Sequence, residues 1–360
     1  MRLAISLGLR GLGAAWPNPA VGCVIAKDGR ILGRGWTGAG GRPHAETIAL
    51  ARAGISAAGA TAFVSLEPCS HVGETPPCAE ALAGAGIARV VAATEDPDPR
   101  VSGAGLTLLN NRGVEVETGL CADQALEANL GFFSRIRQGR PAFTLKIAAT
   151  LDGRIATGAG ESQWITGEAA RAMAHQLRAR HDAVMIGSGT WAADNPTLTA
   201  RIGNADNSRR PRIILDGRLR ITTDCNLFKT ANEAPLWVVT KAGAHDAGRL
   251  GELRDAGAEV IEIAAGDGGQ IDLGALAAHL GERGLTNVLL EGGGTLAASM
   301  LRAELADRIA WFRAPSILGG DALPAIGALG IERLSERFEF SHKTSMSAGP
   351  DGLDMLTRKI

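Results

Sequence analysis

The chain has 360 residues, is 45% hydrophobic and carries a formal net charge of −1, from 37 Lys+Arg against 38 Asp+Glu. That length suits two domains of ordinary size. The charge balance excludes the basic footprint of a general nucleic-acid binder, and the absence of tyrosine, with aromatics at 4%, argues against base-stacking platforms. No run of about 18 uninterrupted apolar residues occurs, so no membrane span is expected. Five cysteines, Cys23, Cys69, Cys78, Cys121 and Cys225, are widely spread and odd in number. Metal or catalytic use in a reducing, cytoplasmic setting fits them better than a disulfide framework.

In chain order, the segment MRLAISLGLRGLGAAW reads as an amphipathic first helix rather than a signal peptide. Val21 to Ala26 and Ile31 to Gly35 are short strands joined by Lys27-Asp28-Gly29-Arg30, a hairpin signal. A helix over His44 to Ala53, a strand over Thr61 to Leu66 and a helix over Cys78 to Ala85 follow, the last with Thr75 as N-cap and Pro77 in its first turn. Strands are expected at Arg89 to Ala93 and Val114 to Thr118, a helix at Gly103 to Arg112, and one long helix from Ala122 to Arg137. The break Gln138-Gly139-Arg140-Pro141 sets a domain boundary, giving domains 1–140 and 141–360. Beyond it, strands are expected at Phe143 to Ala149, Ala183 to Ile186, Arg212 to Leu215, Leu236 to Thr240, Glu259 to Ile263 and Asn287 to Leu290, with Leu353 to Arg358 as a last edge strand. Helices fall at Gly167 to Arg180, Asp246 to Ala256 and Leu273 to Arg283. Alternation of this kind predicts α/β layered sheets in both halves.

The chemistry is concentrated in His44-Ala45-Glu46, Pro68-Cys69 and Pro77-Cys78. One imidazole and two thiolates hold Zn²⁺ and leave its fourth position to water, the mark of a catalytic site. Glu46, two residues after the histidine, is the proton shuttle and not a ligand, as in hydrolytic zinc deaminases. Residues i and i+2 of a helix do not share a face, which separates the ligand from the shuttle. Each piece is common by chance; the ordered set, placed at a helix start, after a strand and at a second helix start, is not. Cys23 lies inside a strand and reads as structural, and Cys121 and Cys225 as inert. The C-x8-C spacing leaves a loop, residues 70–77, expected to cover the pocket, with His71 solvated or touching substrate.

Pro17-Asn18-Pro19-Ala20-Val21-Gly22, the HAE triplet and LEPCSHVGETPPC (Leu66 to Cys78) together resemble the bifunctional riboflavin-biosynthesis deaminase–reductase family of bacteria. So do LKIAATLDGRIATGAGESQWITG (Leu145 to Gly167), Asp194 to Thr199 and LLEGGGTLAASML (Leu289 to Leu301), in the same order over nearly the whole chain. The resemblance implies an N-terminal cytidine-deaminase-like α/β/α domain and a C-terminal dihydrofolate-reductase-like α/β domain. It implies zinc-dependent deamination of 2,5-diamino-6-(5-phosphoribosylamino)pyrimidin-4-one, then NADPH reduction of the ribosyl group of the uracil product to ribityl. Small phosphoribosylaminopyrimidines are the implied partners, with no nucleic acid or membrane, in a cytoplasmic homo-oligomer. The alternative reading is a nucleobase or nucleic-acid deaminase with an inactive accessory domain.

Carried over residue by residue, the match places zinc on His44, Cys69 and Cys78, with Glu46 catalytic and the Asn18 amide reading the pyrimidine edge. Cofactor contacts fall on Ala149, Trp164, Thr190, Asp194, Leu198 and the turn Gly292-Gly293-Gly294-Thr295, whose amides open a helix and suit a phosphate. Reductase substrate contacts fall on Ser162, Arg178, Arg201 and Glu291, the arginines gripping a 5′-phosphate as a guanidinium pair. Asp152 either orients substrate or closes a turn. Two departures carry consequences. Glu74 stands where relatives often have a basic residue, so the deaminase phosphate falls to Arg42 or to backbone amides. Gly217 stands where serine is frequent, removing a cofactor hydroxyl contact. Relative to longer relatives the chain starts inside the first helix.

Overall fold

Residue alternation along one strand sets the layers of the first half. In the computed structural model β1 (Gly22–Lys27) turns its Cys23 and Ile25 toward one apolar cluster and its Val24 toward another. α1 (Arg2–Gly8) supplies Ala4 and Leu7 to the Val24 side, and α2 (Ala45–Ala53) supplies Ala45, Ala49 and Ala53 to the other. A strand's period of two thus places a helix on each face. The structure describes residues 1–71, 76–99, 101–203 and 207–359. It divides into two units, Met1–Gly139 and Arg140–Ile360.

The first unit contains a five-stranded sheet in the order β2-β1-β3-β4-β5, with β2 Arg30–Trp36, β3 Thr61–Val64, β4 Arg89–Ala92 and β5 Glu115–Thr118. β1 is antiparallel to both neighbours, while β3, β4 and β5 run parallel. α3 (Cys78–Gly84) and α4 (Ala104–Asn111) add Ala79, Leu82 and Leu109 to the α2 side. The expected long helix over Ala122 to Arg137 is instead two, α5 (Ala122–Ala128) and α6 (Leu130–Gln138), broken at Asn129. The buried Asn129 amide pairs with the backbone of Ala20, accepting from its N–H at 3.0 Å and donating to its C=O at 3.1 Å. That long-range contact outweighs the local helical pattern. Pro77, rather than Thr75, stands at the N-cap of α3; Thr75 lies outside the described residues.

The second unit is built on a nine-stranded sheet in the order β11-β10-β9-β8-β12-β6-β13-β16-β15. These are β6 Ala142–Ala149, β8 Ala183–Gly187, β9 Arg212–Leu215, β10 Leu236–Lys241, β11 Ala258–Ile263, β12 Asn287–Glu291, β13 Ala306–Arg313, β15 Phe340–Ala348 and β16 Asp351–Arg358. β7 (Arg154–Ala156) and β14 (Leu323–Pro324) pair separately. From β11 to β13 all neighbours are parallel; β16 and β15 close one edge antiparallel. The last strand is therefore not the edge, as expected, because β15 lies outside it. β15 escaped the sequence pattern because six of its residues in a row, His342 to Ser347, are exposed and mostly polar. The helices are α7 (Glu168–Ala179), α8 (Ser188–Asp194), α9 (Asn226–Lys229), α10 (Ala247–Asp255), α11 (Leu273–Glu282) and α12 (Gly294–Arg302). Parallel strands joined by helices leave a crevice beyond their carboxyl ends, where ligands bind in open α/β sheets. Among the described residues no helix is long and apolar enough to cross a membrane.

Candidate zinc centre and reductase cleft

His44 is the extended N-cap residue of α2, and Glu46 lies in its first turn. The helix rests closely on β2 because Gly33 and Gly35 lack side chains: a Cβ at either would strike the carbonyls of Ala49 or Ala45. Cys69 sits in the turn after β3, and Cys78 opens α3. The three donors converge. His44 Nδ1 lies 3.1 Å from Cys78 Sγ and 3.6 Å from Cys69 Sγ, and the Cys78 N–H donates to Cys69 Sγ at 3.3 Å. A tetrahedral ion with its usual Zn–S and Zn–N bonds separates such donors by roughly 3.5–3.8 Å, so the set fits zinc. Among the described residues this metal-competent cluster contains no fourth protein donor.

The electrostatics suit acid–base work. Glu46 is 3% exposed, and burial pushes its carboxyl up to about 7. A carboxyl poised near neutrality can both take and return a proton. The hydrogen bond from Cys78 holds the Cys69 thiol down to about 4, and the same contact pushes Cys78 up. Hydrogen bonding to Cys69 raises His44, against the burial and the Arg42 charge that lower it. Cys23 is fully buried beside Glu46, in keeping with a structural residue. Asn18 is exposed; its Nδ2 donates to Gly40 O at 3.1 Å, on the loop that leads to His44. Glu74 lies outside the described residues, as does half of the loop expected over the pocket.

In the second unit Glu291 ends β12 and is buried. Arg178, from α7, meets it with two parallel bonds, Nε to Oε1 at 2.6 Å and Nη2 to Oε2 at 3.0 Å, and gives Nη1 to Thr199 O at 3.0 Å. Burial alone would raise the Glu291 carboxyl, but Arg178 overrides it and holds it down to about 2. Of the two arginines expected at the substrate phosphate, Arg178 is partly buried with three of its N–H groups engaged, whereas Arg201 is exposed, bonded to Thr197 Oγ1 and His175 Nε2 at 3.3 Å each. Ser162 Oγ donates to Asp194 Oδ1 at 3.1 Å, which joins an expected substrate position to an expected cofactor position. Asp152 closes a turn, accepting from Thr150 Oγ1 at 2.5 Å and from Gly319 N at 2.8 Å.

A cleft of about 840 Å³ opens at the carboxyl ends of β8, β9 and β10 and the start of α12. Thr190, Gly293, Thr295 and Gly217 line it, and Thr190 Oγ1 accepts the Gly293 N–H at 3.0 Å. Gly294 begins α12, with Gly292 just before the cap. Ala149 and Trp164 do not line this cleft: Ala149 ends β6 in the core, and Trp164 is 69% exposed under the Arg171 guanidinium. The Leu198 side chain is packed in the core, leaving only its backbone to offer.

The sequence reading missed four cations lining the cleft, Arg218, Arg220, Lys241 and Arg302. It also missed Lys146, whose Nζ lies 4.0 Å from Glu291 and whose pKa is lowered by burial. Signals for them existed: Arg218 and Arg220 follow a buried strand's carboxyl end, Lys241 ends the next, and Lys146 is the one charged residue in a mostly apolar strand.

A three-donor metal site with an adjacent buried carboxyl, followed by a parallel-sheet unit with a glycine-rich cleft, defines a two-domain deaminase–reductase. Residues 1–94 match the cytidine and deoxycytidylate deaminase zinc-binding region, and residues 141–350 match the RibD C-terminal domain. The chain is 40% identical to the riboflavin biosynthesis protein RibD of Escherichia coli, over 98% of this chain and 96% of the relative. It is 41% identical to that of Aquifex aeolicus, over 98% and 95%. It superposes on RibD of Acinetobacter baumannii with a TM-score of 0.87 at 37% identity, covering 100% of this chain and 98% of that one. A diaminohydroxyphosphoribosylaminopyrimidine deaminase/5-amino-6-(5-phosphoribosylamino)uracil reductase from Thermotoga maritima superposes at 0.84 with 33% identity, covering 100% and 97%. The chain belongs to the RibD family of bifunctional riboflavin-biosynthesis deaminase–reductases.

Proposed function

We propose that the first unit hydrolytically deaminates 2,5-diamino-6-(5-phosphoribosylamino)pyrimidin-4-one and that the second reduces the ribosyl group of the resulting uracil to ribityl with NADPH. The observation that carries the first step is the meeting of His44, Cys69 and Cys78 beside a buried Glu46. Zinc held by those three residues supplies an activated water at neutral pH. Glu46 takes a proton and delivers it to the departing amine, so that ammonia leaves. Asn18 orients the pyrimidine edge through its amide.

For the second step, NADPH supplies the hydride and the protein supplies position and charge. The Gly293 and Thr295 turn receives a cofactor phosphate at the start of α12. Arg218 and Lys241, which line the cleft, would hold a 2′-phosphate and so favour NADPH over NADH. Glu291, fixed by Arg178, orients the sugar, and Arg201 takes the substrate phosphate in place of a guanidinium pair. Lys146, beside Glu291, donates the proton that completes reduction of the ring-opened sugar. Ser162 and Asp194 close the junction between substrate and cofactor. The five free cysteines fit a reducing cytoplasm, and a homo-oligomer is the assembly we expect.

An assay on the diaminopyrimidine that follows ammonia and NADPH separately tests the reading. A chelator should stop ammonia release and leave NADPH oxidation on the deaminated substrate intact. Equal loss of both would contradict two independent sites.

A further inference from the structure

Glu67 stands two residues before Cys69, is 4% exposed, and has no part in the chemistry described above. Its carboxylate collects four backbone N–H groups: Asp96 at 3.2 Å and Gly103 at 3.0 Å on Oε2, Gly105 at 2.9 Å and Leu106 at 3.4 Å on Oε1. Gly103 is the N-cap residue of α4 and has no side chain to cap with, so Gly105 and Leu106 carry first-turn donors that the helix cannot satisfy. Glu67 caps them from a distant part of the chain, with its negative charge at the helix N-terminus. The Glu67 N–H in turn donates to Thr94 O at 3.0 Å. The junction is tight at the next residue as well, because a Cβ on Gly105 would strike the Pro68 carbonyl. One side chain therefore ties the turn that carries Cys69 to the segment after β4 and to the start of α4.

We propose that Glu67 is a positioning residue of the zinc centre, holding the Pro68-Cys69 turn so that the Cys69 sulfur meets His44 and Cys78. This rests on the zinc reading above. A ligand on a turn is only as well placed as its backbone, and supporting contacts of this kind set metal affinity. Glu67→Gln keeps the shape but turns an NH₂ toward N–H donors, leaving buried amides unpaired.

The test is zinc affinity by competition with a chromophoric chelator, and the absorption spectrum of the cobalt-substituted protein. Glu67→Gln should lower zinc affinity about 10- to 100-fold, shift the cobalt bands, lower deamination in parallel and leave NADPH oxidation on the deaminated substrate unchanged. Gly105→Ala, which disturbs the same junction from the other side, should do likewise. The rise in Tm on adding zinc should shrink in both variants. Wild-type affinity and an unchanged cobalt spectrum in both would overturn the proposal, as would an equal fall in Tm with and without zinc, or failure of both to fold even with zinc present. A wild-type chain that binds no zinc overturns the zinc reading and this proposal together.

Discussion

The two sites solve opposite problems of space. At the zinc centre the donors lie within 4.8 Å of one another, and the carboxyl beside them is 3% exposed. The reductase cleft is an open trough of about 840 Å³ edged by four cations. The first has to handle a water molecule and one amine, so a few buried groups with shifted proton affinities suffice. On the function proposed here the second seats a dinucleotide-sized ligand, which calls for length, backbone amides and distributed positive charge. Removing one group should therefore be far more damaging in the first site than in the second.

The largest effect is expected at Glu46. Glu46→Ala removes the group that moves the proton and leaves all three metal donors in place. Ammonia release should fall at least about a thousandfold, with zinc content and NADPH oxidation on the deaminated substrate unchanged. A near wild-type rate of ammonia release would refute the role given to Glu46.

A smaller loss is expected at Lys146, because water can partly replace a lost proton donor. Lys146→Met should slow reduction about a hundredfold and leave deamination alone. The pH dependence has a definite sign. Burial lowers the Lys146 pKa below its ordinary 10.5, and the Arg178 charge adds to this, while Glu291 and Asp194 oppose it. The protonated form is the acid, so reduction should decline as pH rises through that lowered value, and Lys146→Met should lose this alkaline limb. An alkaline limb that survives in the variant would assign the proton to another group.

The same contrast explains what the sequence disclosed. A metal restricts the residue types that can serve it, so His44, Cys69 and Cys78 stand out in short segments and Glu46 beside them. Their surroundings are less visible. Glu67 acts through four amides 29 to 39 residues away, a pairing that no local pattern encodes. Asn129 breaks a helix because it bonds to Ala20, 109 residues distant. In the reductase half, most strands of the parallel sheet were legible as apolar runs, but β13 was not, since Asp307, Arg308 and Arg313 interrupt it. The cations at their ends were not, since an arginine after a strand is usually just a solvated residue. Arg178 is a case in point: on a helix rich in arginine it resembles a surface residue or a free phosphate grip, yet it is partly buried and bonded to Glu291.

The smallest effect is expected in the cleft, and it bears on the choice of cofactor. Arg220 is bonded to Ser188 at 2.7 Å, and Arg302 to Ala328 O at 2.6 Å, so both are partly committed. Arg218 and Lys241 are the cations left for a ligand phosphate, and the Lys241 stem lies against Gly217, where a side chain would begin 3.6 Å away. A charge-assisted hydrogen bond is worth about 1.5–3 kcal/mol, but an open cleft favours the lower end. Lys241→Ala and Arg218→Ala should each raise the KM for NADPH about tenfold, with the KM for NADH and the rate of deamination little changed. The selectivity between the two cofactors is the decisive number. If both KM values rise together, these side chains contact the part common to NADH and NADPH, and 2′-phosphate recognition belongs elsewhere in the unit.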